Sequence, residues 1–260
     1  TPVALNRAIA ASRGEVVVRM DVHTTYAPDY VAMCAQVLAE TGADCVGGAW
    51  RPVGEGAIAQ AFRSRFGSGG AASRLEAYSG PVDTVYLGAW RRETLLALGG
   101  FDEALVRNQD DELALRITRG GGRVWQDARI VSHYTPRESL GALWRQFFQY
   151  GYWKVAVIRK HRLPASPRHL VPFGFVATLA LLALAAPWST LAGAALLALV
   201  GAYTATSLLN GWLTAPRQAL RVALATACMQ LGYGLGFGRG LFEMAVLRRG
   251  PAAAMTRLTR

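Results

Sequence analysis

Cysteine is scarce in this sequence. Cys34, Cys45 and Cys228 are the only three, far apart and without metal-ligand spacing. That excludes a cysteine zinc site and a disulfide framework, and predicts buried thiols in a reducing compartment. A basic helix, a zinc-finger spacing and an aromatic RNA-binding motif are also missing. The net charge of +11 therefore does not imply a nucleic-acid partner, because the Lys and Arg residues behind it are scattered. No internal repeat occurs, and no low-complexity segment beyond an apolar tail. There is neither an initiator Met nor a signal peptide, and Thr1-Pro2 opens directly into a helical pattern, so the chain is expected to start inside a longer protein.

Charge of either sign is absent from Val171 to Leu209, a run too long for the core helix of a soluble domain. Arg159, Lys160, Arg162 and Arg168 precede it, and Arg217 and Arg221 follow it. Under the positive-inside rule both flanks face the cytoplasm, so two helices cross out and back, turning near Pro187-Trp188-Ser189. A third apolar segment, Ala219 to Gly238, is flanked by Arg221 and Arg239 with nearly equal charge, which leaves its orientation open. Its Gly232, Gly234, Gly236, Gly238 and Gly240 predict close helix packing.

Ahead of the tail, helical and strand patterns alternate. Leu5, Ile9 and Ala10 predict a short helix ending at Arg13-Gly14, and Glu15 to Met20 a buried parallel strand. The strand delivers Asp21 and His23 at its carboxyl end, where open α/β sheets bind ligands. A helix follows from Tyr26-Ala-Pro-Asp-Tyr30 with Asp29 as its cap, then a return strand through Gly42 to Gly48. Residues 51 to 80 read as a small-residue loop, mobile at Gly67 to Gly70. Val82 to Leu87 reads as a strand, Glu93 to Leu98 as a helix ended by Gly99-Gly100, Arg123 to Trp125 and Ile130 to His133 as further strands. This order predicts a mainly parallel α/β layer. Ser139 to His161 carries a broad apolar face with Arg145, Lys154, Arg159 and Lys160 beside it, the composition of a helix in the membrane interface or, alternatively, of a core helix.

The chemistry gathers at two places. Asp21 and His23 can share a divalent cation, for which carboxylate oxygen plus imidazole nitrogen suit Mn²⁺, with Mg²⁺ as the other candidate. Such a cation stabilises a departing diphosphate. Asp110, Asp111 and Glu112 stand in a row at a helix start, where a solvated acidic first turn is the plain reading. As a site, Asp110 becomes a general base whose pKa its neighbours raise.

The motifs Asn6-x-x-Ile9-x-x-Ser12-Arg13-Gly14-Glu15-Val16-Val17, Asp21-x-His23, Gly88-x-x-Arg91-Arg92, Gly99-Gly-Phe-Asp-Glu103 and Gln109-Asp-Asp-Glu-Leu113, in this order, resemble family 2 glycosyltransferases of the GT-A fold. Within that family they look most like the succinoglycan-type membrane glucosyltransferases of bacterial exopolysaccharide synthesis. The resemblance implies a partial GT-A sheet, an interfacial helix and two to three transmembrane helices. The corresponding divisions are a catalytic part at 1–138, an interfacial part at 139–168, membrane helices at 169–247 and a basic tail at 248–260. Asp21 and His23 match the metal and nucleotide-diphosphate motif, with His23 in place of the usual Asp. Asp110 matches the catalytic base, with Gln109 in place of Glu. His133 stands where a third metal ligand is found, or is a core histidine. Asn6 and Arg7 are candidates on the nucleotide side.

On the acceptor side the resemblance places Gly88, Trp90, Asp111, Gln149 and Trp153, with a structural role as the other reading of Trp90. Gln149-Tyr-Gly-Tyr-Trp153 resembles the Gln-x-x-Arg-Trp motif of processive synthases, with Tyr152 replacing Arg. The implied activity is inverting transfer of a hexose, glucose by the subgroup, from a UDP-sugar to a lipid-linked acceptor at the cytoplasmic face of the bacterial inner membrane. Two rivals stand beside it: a processive polysaccharide synthase, and a catalytically inactive scaffold subunit that keeps the fold.

Overall fold

The computed structural model describes residues 2–256; Thr1 and residues 257–260, the end of the expected basic tail, lie outside the described residues. Two units form, Thr1–Gly54 with Gly70–Thr135 and Glu55–Gly69 with Pro136–Arg260. The elements begin with α1 (Pro2–Ala11), β1 (Val16–Val18), β2 (Thr24–Tyr26), α2 (Tyr30–Thr41), β3 (Cys45–Gly48), β4 (Arg51–Pro52) and α3 (Ala57–Arg63). They continue with β5 (Gly80–Pro81), β6 (Tyr86–Arg91), α4 (Arg92–Ala97), α5 (Gln109–Arg119), β7 (Val124–Gln126) and β8 (Ser132–Tyr134). Last come α6 (Leu140–His161), α7 (Val171–Ala185), α8 (Thr190–Thr214), α9 (Ala219–Gly240) and α10 (Ala253–Thr256).

The first unit is an α/β layer built on a five-stranded sheet of order β1-β6-β3-β7-β5. Side chains alternate along each strand, so neighbouring residues serve opposite faces. Cys45 and Trp90 join Ile9, Leu95, Phe101, Leu113 and Ile117 on one face, under α1, α4 and α5. Val46 and Ala89 join Tyr30, Cys34, Val37 and Leu38 of α2 on the other. Fully burying such a side chain is worth about 1.5–3 kcal/mol.

The sheet is mixed, where the sequence predicted a mainly parallel one. β3 and β7 are parallel, but β6 lies between β1 and β3 and runs antiparallel to both, and β5 is antiparallel to β7. The connection through α2 leaves the slot beside β1 open, and β6 fills it from far along the chain. Local pattern carries no sign of that insertion. β6 also begins later than the predicted Val82 to Leu87. Asp29 precedes α2 but makes no side-chain capping bond, whereas Gly42 ends the helix in the left-handed region as a glycine there should. A second, small sheet has the order β2-β8-β4.

The second unit is helical. Residues 55–69 belong to it, and Ala57–Arg63 is a helix where the sequence suggested a loop. The Ala57-Ile-Ala-Gln-Ala-Phe62 stretch is a helix whose Ala59, Ala61 and Phe62 are buried, Phe62 packing 5.8 Å from Phe147 of α6. Alanine-rich turns look featureless in sequence but place a flat apolar stripe against a neighbour. Two segments, Pro167–Ala185 and Thr190–Thr214, are long and apolar enough to cross a membrane, and almost nothing of either is buried within the structure. Between them Ser189 caps α8 by accepting a hydrogen bond from the Ala192 amide at 3.2 Å.

The predicted third apolar segment, α9, has the opposite character, since Val222, Ala225, Thr226, Met229 and Phe237 are buried. Its alternate glycines resolve into two stripes at i, i+4 spacing. Gly232, Gly236 and Gly240 face α6, where a Cβ would meet backbone of Trp144, Phe148 and Tyr152; Gly234 and Gly238 face α7, against Pro172 and Phe173. Gly236→Ala should therefore destabilise the helical unit by about 1–3 kcal/mol through overpacking. Gly201→Ala, where a Cβ meets nothing within 4 Å, should be neutral or stabilising. Thermal denaturation in detergent reads both, and equal effects at the two positions would refute the packing account.

Candidate active site

The candidate site lies in the first unit, where β1 ends and α5 begins. Asp21 is fixed from several sides. Arg19 grips its carboxylate two-pronged, Nε to Oδ1 and Nη2 to Oδ2, both at 3.1 Å. The Tyr26 hydroxyl accepts from the Asp21 amide at 2.5 Å and donates to the Asp21 carbonyl at 3.0 Å. Arg19 is in turn held to the sheet by its amide, which donates to Gly88 O at 3.0 Å.

The row of three carboxylates separates into different environments. Glu112 is fully buried and receives Arg116 at 2.9–3.0 Å. Arg116 also donates to Leu98 O at 2.5 Å and Gly100 O at 2.7 Å, tying the preceding turn to α5. Asp111 is half-buried, and its amide donates to Asp110 Oδ1 at 3.0 Å. Burial raises the pKa of Asp110 above the ordinary carboxylate value, Asp111 adds to the rise, and Arg19 opposes it. The direction matches the expectation from sequence, although desolvation rather than the neighbouring charge is the larger cause. Asn108, just before α5, sits in the left-handed region at φ 59°, which Asn tolerates better than most residues.

Several expected site residues do other work. Asn6 brackets the backbone of Phe101, its Nδ2 donating to Phe101 O and its Oδ1 accepting from Phe101 N, both at 2.8 Å, with a further bond to Glu103. A Cβ at Gly100 would lie 2.5 Å from Asn6 Oδ1. The Asn6 and Gly-Gly-Phe-Asp-Glu motifs are thus one structural clasp. Arg7 is exposed on α1. Trp90 is 3% exposed and packs edge-on to Phe101 within the core. Gly88, at φ 95°, leaves room for the Trp90 ring, which a Cβ would approach to 2.5 Å.

In the second unit Trp153 is 1% exposed and its indole donates to Met255 O at 3.0 Å. Tyr152 donates to Glu243 at 2.6 Å and accepts from the Ala252 amide at 2.9 Å. The motif likened to that of processive synthases is therefore occupied by the chain's own carboxyl-terminal segment. Gln149, also buried, lines with Trp144, Arg145, Phe148, Ala254 and Met255 a cavity of about 260 Å³.

His23 and His133 are exposed, His133 opposite Thr25 in the small sheet. Among the described residues no three His, Cys, Asp or Glu side chains are grouped to hold a metal, so His133 does not complete a ligand set with Asp21 and His23. Cys34 and Cys45 are buried free thiols as expected, and Cys228 is half-buried. Sequence reasoning missed Arg19, because one arginine within an apolar strand has no motif to mark it. It also missed an aromatic cluster in which Trp50 stacks on Tyr86 at 5.1 Å and meets Tyr134 at 4.6 Å. The Tyr86 hydroxyl shares a 2.8 Å hydrogen bond with Thr24, beside His23.

The raised pKa of Asp110 has a consequence for stability. The folded state keeps the proton to higher pH than the unfolded chain does, so stability falls as pH rises from the ordinary value near 3.8 through the raised one. Asp110→Asn should accordingly raise Tm at neutral pH, with a gain that disappears below the ordinary carboxylate value. Melting curves across that range test the sign; a variant less stable than wild type at pH 7 would contradict it.

A family model described as Glycosyl transferase family 2 matches residues 2–95. Succinoglycan biosynthesis protein ExoA of Rhizobium meliloti (strain 1021) is 32% identical over 250 residues, 92% of this chain and 74% of that protein. Among solved structures, the mannosyltransferase PcManGT of Pyrobaculum calidifontis, in complex with GDP-Man and Mn²⁺, superposes with a TM-score of 0.58 over 90% of this chain at 22% identity. This chain spans 66% of that one, and the likeness establishes the shared GT-A-like fold. The order of the motifs, the fold and the extent of the sequence match agree: the chain belongs to glycosyl transferase family 2.

Proposed function

We propose that the protein is an inverting glycosyltransferase, moving a hexose from a UDP-sugar to a lipid-linked saccharide in bacterial exopolysaccharide or envelope glycan synthesis. Glucose is the proposed sugar. The similarity to a succinoglycan biosynthesis protein supports the pathway class. The two apolar helices support a multi-pass protein of the inner membrane, with the α/β unit on the cytoplasmic side as the flanking arginines favour.

The observation that carries the reading is the half-buried carboxylate of Asp110 at the start of α5, with a pKa raised by desolvation, in the same unit as Asp21 and the Arg19 that holds it. Burial makes Asp110 more basic, as a general base for a hydroxyl needs. Asp110 takes the acceptor proton as the oxygen attacks the anomeric carbon, and the nucleotide diphosphate leaves from the opposite side, inverting the centre. Asp111, adjoining the base, is the acceptor-side residue retained in this proposal.

Asp21 and His23 would hold Mn²⁺ or Mg²⁺. The donor set fits, for carboxylate oxygen and imidazole nitrogen suit these ions, and Asp21 is half-buried while His23 is exposed. When bound, the cation supplies neutralisation of the leaving diphosphate. The inactive-scaffold reading has one observation in its favour, the closure of Arg19 over both oxygens of Asp21. Burial of Trp153 weighs against a processive synthase.

The test uses the full-length protein in membranes with a lipid acceptor supplied, following UDP binding and UDP release. Asp110→Asn should bind UDP-sugar but lose about 10²–10⁴-fold in turnover, and Asp21→Ala should lose nucleotide binding. Wild type that neither binds nor turns over any UDP-sugar would favour the scaffold instead.

A further inference from the structure

Arg19 has more donors than its visible partner uses. Its side chain is 10% exposed, Asp21's 22%. Nε and Nη2 are committed to Asp21, while Nη1 is buried and has no hydrogen-bond partner among the described residues. Burial alone would lower a guanidinium pKa, yet that of Arg19 is raised, with Asp110 the strongest influence in that direction and Asp21 the next. The geometry commits two nitrogens of the fork to Asp21 and leaves the third to spare among the described residues. Asp21 and Arg19 cancel one another's charge, and a divalent cation at Asp21 leaves the pair with a net positive charge. A fork left facing a cation is repelled; a diphosphate restores the balance and offers the acceptor oxygens for which the planar fork is shaped.

Building on the glycosyltransferase reading, we propose that Arg19 is the resident counter-cation of this site and a diphosphate-binding residue that exchanges partners. It pairs with Asp21 while no divalent cation is present, and donates to the nucleotide diphosphate once a cation takes Asp21. Two effects of opposite sign follow. Removing Arg19 removes a competitor for the Asp21 oxygens, so the cation binds more tightly in the absence of nucleotide. The same change removes diphosphate donors, so nucleotide binds more weakly. A residue with only a structural role would weaken both or neither.

The experiment measures Mn²⁺ affinity of the purified full-length protein by electron paramagnetic resonance of free Mn²⁺, without nucleotide, and UDP affinity at saturating Mn²⁺ by calorimetry. Arg19→Met should bind Mn²⁺ on the order of tenfold more tightly and UDP on the order of tenfold more weakly than wild type, each a modest coupling. Arg19→Lys keeps a charge but loses the two-pronged grip, and should shift both affinities the same way by less. It also serves if the Met variant does not fold. Wild type binding both ligands, with a folded variant that binds Mn²⁺ no more tightly or UDP no more weakly, would overturn the exchange and leave the glycosyltransferase reading standing. Wild type binding neither ligand would overturn both.

Discussion

Three adjacent carboxylates cannot share one environment at a helix start, because each ionised neighbour disfavours the next. The first unit depends on how that conflict is resolved. Glu112 is buried, and its charge is met by Arg116 one turn along the same helix. Arg116 then spends its remaining donors on carbonyls of the turn at Leu98 and Gly100. Asn6 holds the next residue of that turn from α1. The Glu112–Arg116 ion pair of α5 therefore also fixes the segment that leads into it, and through that segment the place of Asp110. Breaking a buried pair by removing one partner costs about 3–5 kcal/mol, far more than the loss of an exposed one.

The helical unit rests on a different constraint, closeness of backbones. α9 gives up side chains at every second position from Gly232 to Gly240, and a helix turns those positions alternately toward two neighbours. A single row of glycines would join two helices; this arrangement joins α9 to both α6 and α7. The consequence is visible in α9 itself, which is apolar yet largely buried in protein, whereas the spans at 167–185 and 190–214 leave their surfaces uncovered.

What could be read from sequence was local and periodic. The uncharged run, the glycine repeat, the strand feeding Asp21 and the acidic start of α5 all follow from spacing along one element. What could not be read was settled by contacts between distant residues. Trp90 and Trp153 look like sugar-binding aromatics because an indole suits a sugar face and a core equally well, and only the position of Phe101 or Met255 decides. Asn6 looked like a ligand contact because its motif travels with the active-site motifs, yet it serves the turn beside them. β6 entering antiparallel between β1 and β3 joins residues some seventy positions apart, a distance over which no periodicity speaks. Arg19 fell between these cases: its neighbour Asp21 was marked, but the link to Asp110 exists only in three dimensions.

In the proposed role of Asp110 as general base, that link would let two opposing requirements coexist. A base partly withdrawn from water holds a proton more tightly, which helps it accept one from a hydroxyl but also keeps it protonated when it should be ready. Exposing the carboxylate would restore ionisation and lose basicity. A guanidinium set nearby but committed to Asp21 offers an intermediate course: its field favours ionisation of Asp110 while burial favours basicity. Were Arg19 bonded to Asp110 alone, the base would be quenched as a simple ion pair. If Arg19 exchanges partners as proposed, its pairing with Asp21 would make the ionisation of Asp110 depend on what occupies the donor side.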